Sequence, residues 1–181
     1  MGEIDYMSNS DWEDCVNFHG HSCPGLAIGY RAATYGLQLL GIPLARAKDE
    51  EIVCISENEA CGVDAIQWLT GCTAGKGNLL FQPLGKIAFT FFDRSSNKGV
   101  RIISRPSDYR EDREKAMQYI LTAESEELFD QTTLRTDLPE FARIFLSVQC
   151  EECDEQCRED RARLHDGKIL CLHCFKPYDR G

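Results

Sequence analysis

His19-Gly20-His21-Ser22-Cys23-Pro24-Gly25 runs straight into Leu26-Ala27-Ile28-Gly29-Tyr30-Arg31-Ala32-Ala33. Pro24 suits the first turn of a helix, because its missing N–H would have no partner there in any case. Cys23 then falls at or beside the N-cap, where unpaired N–H groups and the positive end of the helix dipole favour an anion. A cysteine so placed ionises more easily, and the thiolate is the form that binds metal or attacks an electrophile. His21 and Cys23, two apart in extended chain, point to the same side. Taken singly, each reads as a buried cysteine or a hydrogen-bonded core histidine. Together, ahead of a proline-started helix, they read as a metal or thiolate site.

Outward from that stretch, residues 24–41 read as one helix. Leu26, Tyr30, Ala33, Leu37 and Leu40 make an apolar stripe at helical spacing. Gly25, Gly29, Ala32 and Gly36 make a second stripe of small residues. Glycine costs a helix about 1 kcal/mol against alanine, so the stripe implies close approach of another backbone. That backbone belongs to a second copy, giving a homodimer, or to this chain. Gly41 and Pro43 end the helix. Before it, Asp11 caps a short helix over Trp12 to Phe18.

Further along, Ile52 to Glu57 reads as a strand rich in branched residues. Cys61 follows at a strand-to-helix junction, where ligands are often presented. The next helix covers Val63 to Thr70, and Cys54 reads as core. Gly71-Cys72-Thr73-Ala74-Gly75-Lys76-Gly77-Asn78 is glycine-rich but lacks the Walker spacing. It reads as a tight loop that brings Cys72, Thr73 and Lys76 beside the first site. Cys72 would serve there as a redox or nucleophilic thiol, with Lys76 at its side. Residues 85–93 and 99–105 read as strands joined by a hairpin turn. A helix capped by Asp108 and Glu111 runs to about Leu128. Residues 130–137 read as a polar link between helices, and 139–145 as a helix or a strand.

The chain changes character at residue 148. Cys150-x-x-Cys153 and Cys171-x-x-Cys174 are separated by seventeen residues. Two such knuckles offer four thiolates to one tetrahedral zinc ion. Some thirty residues are too few for a stable core without a staple of this kind. Cys157 and His173 are spare ligands. The organisation is thus a core over 1–147 and a zinc module over 148–181.

Charge and composition narrow the function classes. The 181 residues carry net charge −10, which speaks against a general nucleic-acid or anionic-membrane binder. No run of eighteen apolar residues occurs, so no membrane span is expected. The N-terminus lacks the basic start and apolar core of a signal peptide. With ten cysteines partly in CxxC pairs, this points to a cytoplasmic protein with reduced, metal-ligating thiols.

The stretches NFHGHSCPGLAIGYRAA, ENEACGVDAIQ, GCTAGKGN and GKIAFTFFD, in that order, resemble the FmdE family, the small separate component associated with formylmethanofuran dehydrogenase. The resemblance covers about residues 12 to 145, and members similar in carrying a C-terminal zinc ribbon are known. It implies an α+β fold: an antiparallel or mixed sheet packed with helices, here followed by a zinc-ribbon or treble-clef-like module. It also implies a homodimer and a core metal site. Matched residue by residue, that site takes His21, Cys23 and Cys61, with His19 and Cys72 nearby. Three ligands from separate segments leave one coordination position for water or a small-molecule ligand. Thiolate and imidazole donors suit zinc, with iron as the alternative in the core. The expected cofactor is therefore zinc at two sites per chain. The expected function is an accessory or catalytic component of one-carbon or molybdenum/tungsten redox metabolism. A metal carrier or assembly factor, and a zinc-ribbon adaptor, are the alternatives.

Overall fold

The computed structural model describes residues 9–106 and 112–180, and the chain divides into two compact units after Ala142. The break lies five residues before the boundary expected from the first CxxC pair.

The first unit begins with α1 (Asn9–His19) and α2 (Pro24–Leu40), followed by β1 (Ile52–Ser56) and α3 (Gly62–Thr70). Then come β2 (Leu79–Phe81), β3 (Ala88–Asp93), β4 (Lys98–Ser104), α4 (Arg113–Thr122), α5 (Ser125–Leu128) and β5 (Phe129–Thr132). The strands form one mixed sheet in the order β2-β1-β3-β4-β5. β1 pairs parallel with β2, and the other pairs are antiparallel. The α+β reading of the sequence holds. Every residue of β1 and β3 is buried, because both faces of these central strands are covered. Alternate side chains explain how. Ile52, Cys54, Phe89 and Phe91 join the main core with the helices. Val53, Ile55 and Phe92 face the other way, against Leu80 and Leu138.

That second face is closed by the segment ending at Ala142, which is neither helix nor strand. Its backbone bonds to side chains instead. Arg94 donates to the carbonyls of Pro139 and Glu140, and the Glu50 carboxylate accepts from the Ala142 N–H. A buried Glu57–Arg101 ion pair (2.6 Å) ties the end of β1 to β4, and Arg101 also reaches Thr132 on β5.

α2 carries the site. Pro24 stands in its first turn, and its last turn is closed by Gly41 in the left-handed region (φ 71°). The stripe of small residues is filled within the chain. A Cβ on Gly29 would overlap the carbonyl and Cα of Gly62, at the start of α3, and one on Gly36 would overlap the Phe91 ring. Arg31, also on α2, is buried and donates to the carbonyls of Ile120 and Ala123, closing the end of α4.

Several local expectations are corrected. α1 starts at Asn9, so Asp11 lies in its first turn. The helix expected to run to Leu128 breaks at Ala123 and Glu124 into α4 and α5. Asp112 caps α4, accepting from the Lys115 N–H; Asp108 and Glu111 lie outside the described residues. β5 occupies part of the segment read as a polar link, and β2 is a strand that the sequence pattern does not signal. None of the described helices is long and apolar enough to cross a membrane.

The second unit is two short hairpins. β6 (Ser147–Gln149) pairs with β7 (Gln156–Arg158), and β8 (Ala162–His165) with β9 (Lys168–Cys171). Asp166 and Gly167, at φ 50° and 79°, make the tight turn of the latter, as two-residue hairpin loops require.

Gly29→Ala should lower the stability of the first unit by about 3 kcal/mol, the upper end of ordinary overpacking. Denaturant unfolding checks this; an unchanged midpoint would show that α2 and α3 do not cross backbone to backbone.

Candidate metal centre

α1 ends at His19, and Gly20, at φ 95°, turns the chain sharply toward α2. Cys23 is the N-cap of α2, in extended backbone conformation, with its sulfur accepting from the Leu26 N–H at 3.3 Å. Cys61 immediately precedes α3. Because Gly29 and Gly62 let the two helices touch, their first turns lie side by side. One ring nitrogen of His19 and the sulfurs of Cys23 and Cys61 all lie within 4.8 Å of one another.

The structure groups His19, rather than the expected His21, with the two thiols. His21 is exposed and lies against the His19 ring at a tilt of 39°, centroids 4.5 Å apart. The alternation argument for His21 assumes extended chain throughout. His19 instead belongs to a helix, and the turn at Gly20 folds it back beside α3. Phe18 meets Trp68 of α3 in the same contact, at 5.6 Å between centroids.

Asp64, in the first turn of α3, is a site residue that the sequence reading misses. Its Oδ2 lies 2.6 Å from His19 Nδ1. A carboxylate accepts, so Nδ1 donates to it, and in the neutral ring the lone pair is left on Nε2. Nε2 is buried and has no hydrogen-bond partner among the described residues. A buried acceptor left in this state costs free energy unless something fills it. A cation beside two thiols fills it, and a carboxylate on the far ring nitrogen is the usual support of a metal-bound histidine. The one sequence signal for Asp64 is its place three residues after Cys61, on the first turn of the same helix. Burial and the neighbouring Cys23 push the Cys61 thiol up from its ordinary value. Two adjacent sulfurs resist ionising together, and a bound cation removes that resistance.

Cys72 and Lys76 do not join this group. Cys61 precedes α3 and Cys72 follows it, and nine residues of helix span about 13 Å. Cys72 is fully buried at the far end of β1, its thiol donating to the Ile52 carbonyl at 3.4 Å. Burial pushes its pKa up to about 11, so it stays protonated. Lys76 Nζ donates to the Ala47 carbonyl (2.7 Å), and the Asn78 amide donates to the carbonyls of Asp49 and Ile52. The glycine-rich loop thus stitches residues 47–52 to β2.

A hollow of about 630 Å³ borders the cluster, lined by His19, Glu59, Cys61, Asp64, Gln67 and Phe81 among others. A second, of about 520 Å³, has Pro24, Gly25 and Gly62 in its wall, residues that adjoin Cys23 and Cys61 in the chain.

In the second unit, the sulfurs of Cys150, Cys153, Cys171 and Cys174 all lie within 4.8 Å of one another. Tetrahedral zinc with Zn–S bonds of 2.3 Å sets its sulfurs about 3.8 Å apart; the Cys153–Cys171 separation is 4.0 Å. Backbone N–H groups, that of Cys171 foremost, lower the Cys150 pKa to about 6, readying one thiolate. The donor set and its spacing fit a metal ion at both groups.

The FmdE family model, described as molybdenum formylmethanofuran dehydrogenase operon, matches residues 18–153. A probable S-adenosyl-L-methionine-binding protein of Archaeoglobus fulgidus is 30% identical over 199 aligned positions, covering 89% of this chain and 51% of that protein. The chain therefore spans about half the length of this curated relative. A tungsten formylmethanofuran dehydrogenase FmdE-like protein from Syntrophus aciditrophicus has a crystal structure that matches with a TM-score of 0.64. The match covers 95% of this chain and 94% of that one at 23% identity, a likeness of fold.

Asp64→Ala should weaken metal retention by the core group about tenfold or more, leaving the tail group unchanged. Competition with a chromophoric chelator measures both, and equal affinity in the variant would detach Asp64 from the site.

Proposed function

Because the chain belongs to the FmdE family, we propose that it is a metal-dependent accessory or catalytic component of one-carbon or molybdenum/tungsten redox metabolism, working through His19, Cys23 and Cys61. The observation that carries this reading is the imidazole of His19, one ring nitrogen of which lies within 4.8 Å of two thiol sulfurs while its buried Nε2 has no hydrogen-bond partner among the described residues. Three ligands leave a coordination position for an exchangeable group, the layout of a reactive site rather than a closed structural one. Zinc is the metal proposed at both groups, with iron as the alternative in the core, since thiolate and imidazole are soft donors. When bound, zinc supplies Lewis acidity. The chain supplies the rest. Asp64 fixes the tautomer and orientation of His19. The Leu26 N–H holds the Cys23 sulfur in place at the start of α2.

A second reading, a metal carrier or assembly factor, is supported by the hollow of about 630 Å³ against His19, Cys61 and Asp64, an open route for exchange. A cytoplasmic location belongs to the proposal and is supported by ten free cysteines. A homodimer belongs to it too, resting on the family resemblance, since Gly29 and Gly36 are filled within the chain.

Elemental analysis of the anaerobically purified full chain should find two metal ions per chain. Cys61→Ser should remove one, and Cys171→Ser the other, together with the fold past residue 148, because metal binding supplies the folding free energy of such a module. Full metal content in Cys61→Ser would end the core-site reading. Removal of the core ion by a chelator within minutes, at unchanged fold, would favour the carrier. Sedimentation at micromolar concentration should show a dimer; a monomer would remove that part of the proposal.

A further inference from the structure

The cavity of about 520 Å³ is of the size that holds small molecules. Its walls include Ile28 on α2, Phe89 on β3, Ile103 at the end of β4 and Ile120 on α4, with Lys86 also lining it. Gly25 forms the side toward the cluster. A Cβ there would lie 3.8 Å from Cys61 Sγ and 3.9 Å from Cys23 Sγ. These are ordinary contacts, so alanine fits this helical position and would be favoured by helix propensity. Glycine therefore leaves room for about one methyl beside the two sulfurs, at a residue that also lines the cavity.

We propose that this cavity binds a small organic thiolate, with an apolar body against the isoleucine and phenylalanine walls, an anionic group toward Lys86, and its sulfur passing Gly25 to the cluster. The proposal rests on the metal-site reading above and names its ligand class. The apolar walls require an apolar body, since polar surface placed there would lose its water without compensation. Lys86 attracts an anion. A third sulfur beside Cys23, Cys61 and His19 makes one nitrogen and three sulfurs, a common donor set for zinc. The thiol loses its proton to solvent, its sulfur lone pair goes to the metal, and no electron changes hands.

The test uses the full chain loaded with cobalt(II), whose absorption reports its ligands, with Cys61→Ser supplying the spectrum of the tail site alone. The probe is para-mercaptophenylacetate, with thiophenol as the probe lacking the carboxylate. Wild-type protein should show a saturable spectral change with both. Gly25→Ala and Ile103→Trp should each weaken it about tenfold, the effect of filling a pocket by a methylene or more. Gly25→Ala adds only a methyl in ordinary contact, so it also covers the case in which Ile103→Trp fails to fold. Lys86→Gln should weaken the carboxylate probe about threefold, as for a solvent-accessible ion pair, and leave thiophenol unaffected. Cobalt confined to the tail would remove the metal-site reading and this proposal with it. Cobalt in both groups with no probe response, or with equal responses in wild type, Gly25→Ala and Ile103→Trp, would overturn the proposal alone. Equal loss of both probes in Lys86→Gln would overturn the anionic end.

Discussion

The contact between Gly29 and Gly62 governs the candidate centre. A Cβ on Gly29 would overlap the Gly62 carbonyl oxygen, and one on Gly62 would lie 2.9 Å from that of Gly25, so a side chain at either position would push the two helices apart. With both absent, two helices of different length begin at nearly the same point, each preceded by a cysteine. The thiols are neighbours because the backbones behind them touch. Glycine in these helices is a local cost of about 1 kcal/mol each, and the packed core of α2, α3 and the sheet offsets it.

Electrostatics then decides what the neighbourhood can hold. Cys23 caps α2 with its sulfur on the Leu26 N–H, while Cys61 is pushed toward the neutral thiol by burial and by Cys23 itself. His19 presents a buried Nε2 with no hydrogen-bond partner among the described residues. All three features ask for a cation. Asp64 completes the arrangement from behind, and it stands on the helix that Cys61 precedes, so one element sets both a thiol and the orientation of the imidazole.

Much of this is legible in residue order. Pro24 and Gly41 bracket α2 as read, Cys23 caps it, and the paired CxxC spacing brings four sulfurs together. These signals are local: each depends on residues within one turn or one knuckle. What escapes the residue order is non-local or too short. His21 wins over His19 only when alternation is applied across a helix end and a left-handed glycine. Cys72 is close to Cys61 in sequence, yet a rigid helix between them works as a spacer. Phe129-Asp130-Gln131-Thr132 carries no strand pattern and is a strand only because β4 offers it an edge. Residues up to Ala142 take their path from Glu50 and Arg94, dozens of positions earlier, which no windowed reading detects.

The glycine crossing has an evolutionary consequence. Most packed pairs of side chains can drift, since a larger residue on one side is balanced by a smaller one on the other. Here each side already carries the smallest residue, and what it meets is main chain, which substitution cannot trim. The two positions therefore have no compensating pair open to them, and variation near the centre is channelled to the surrounding cavity walls, where side chains meet side chains.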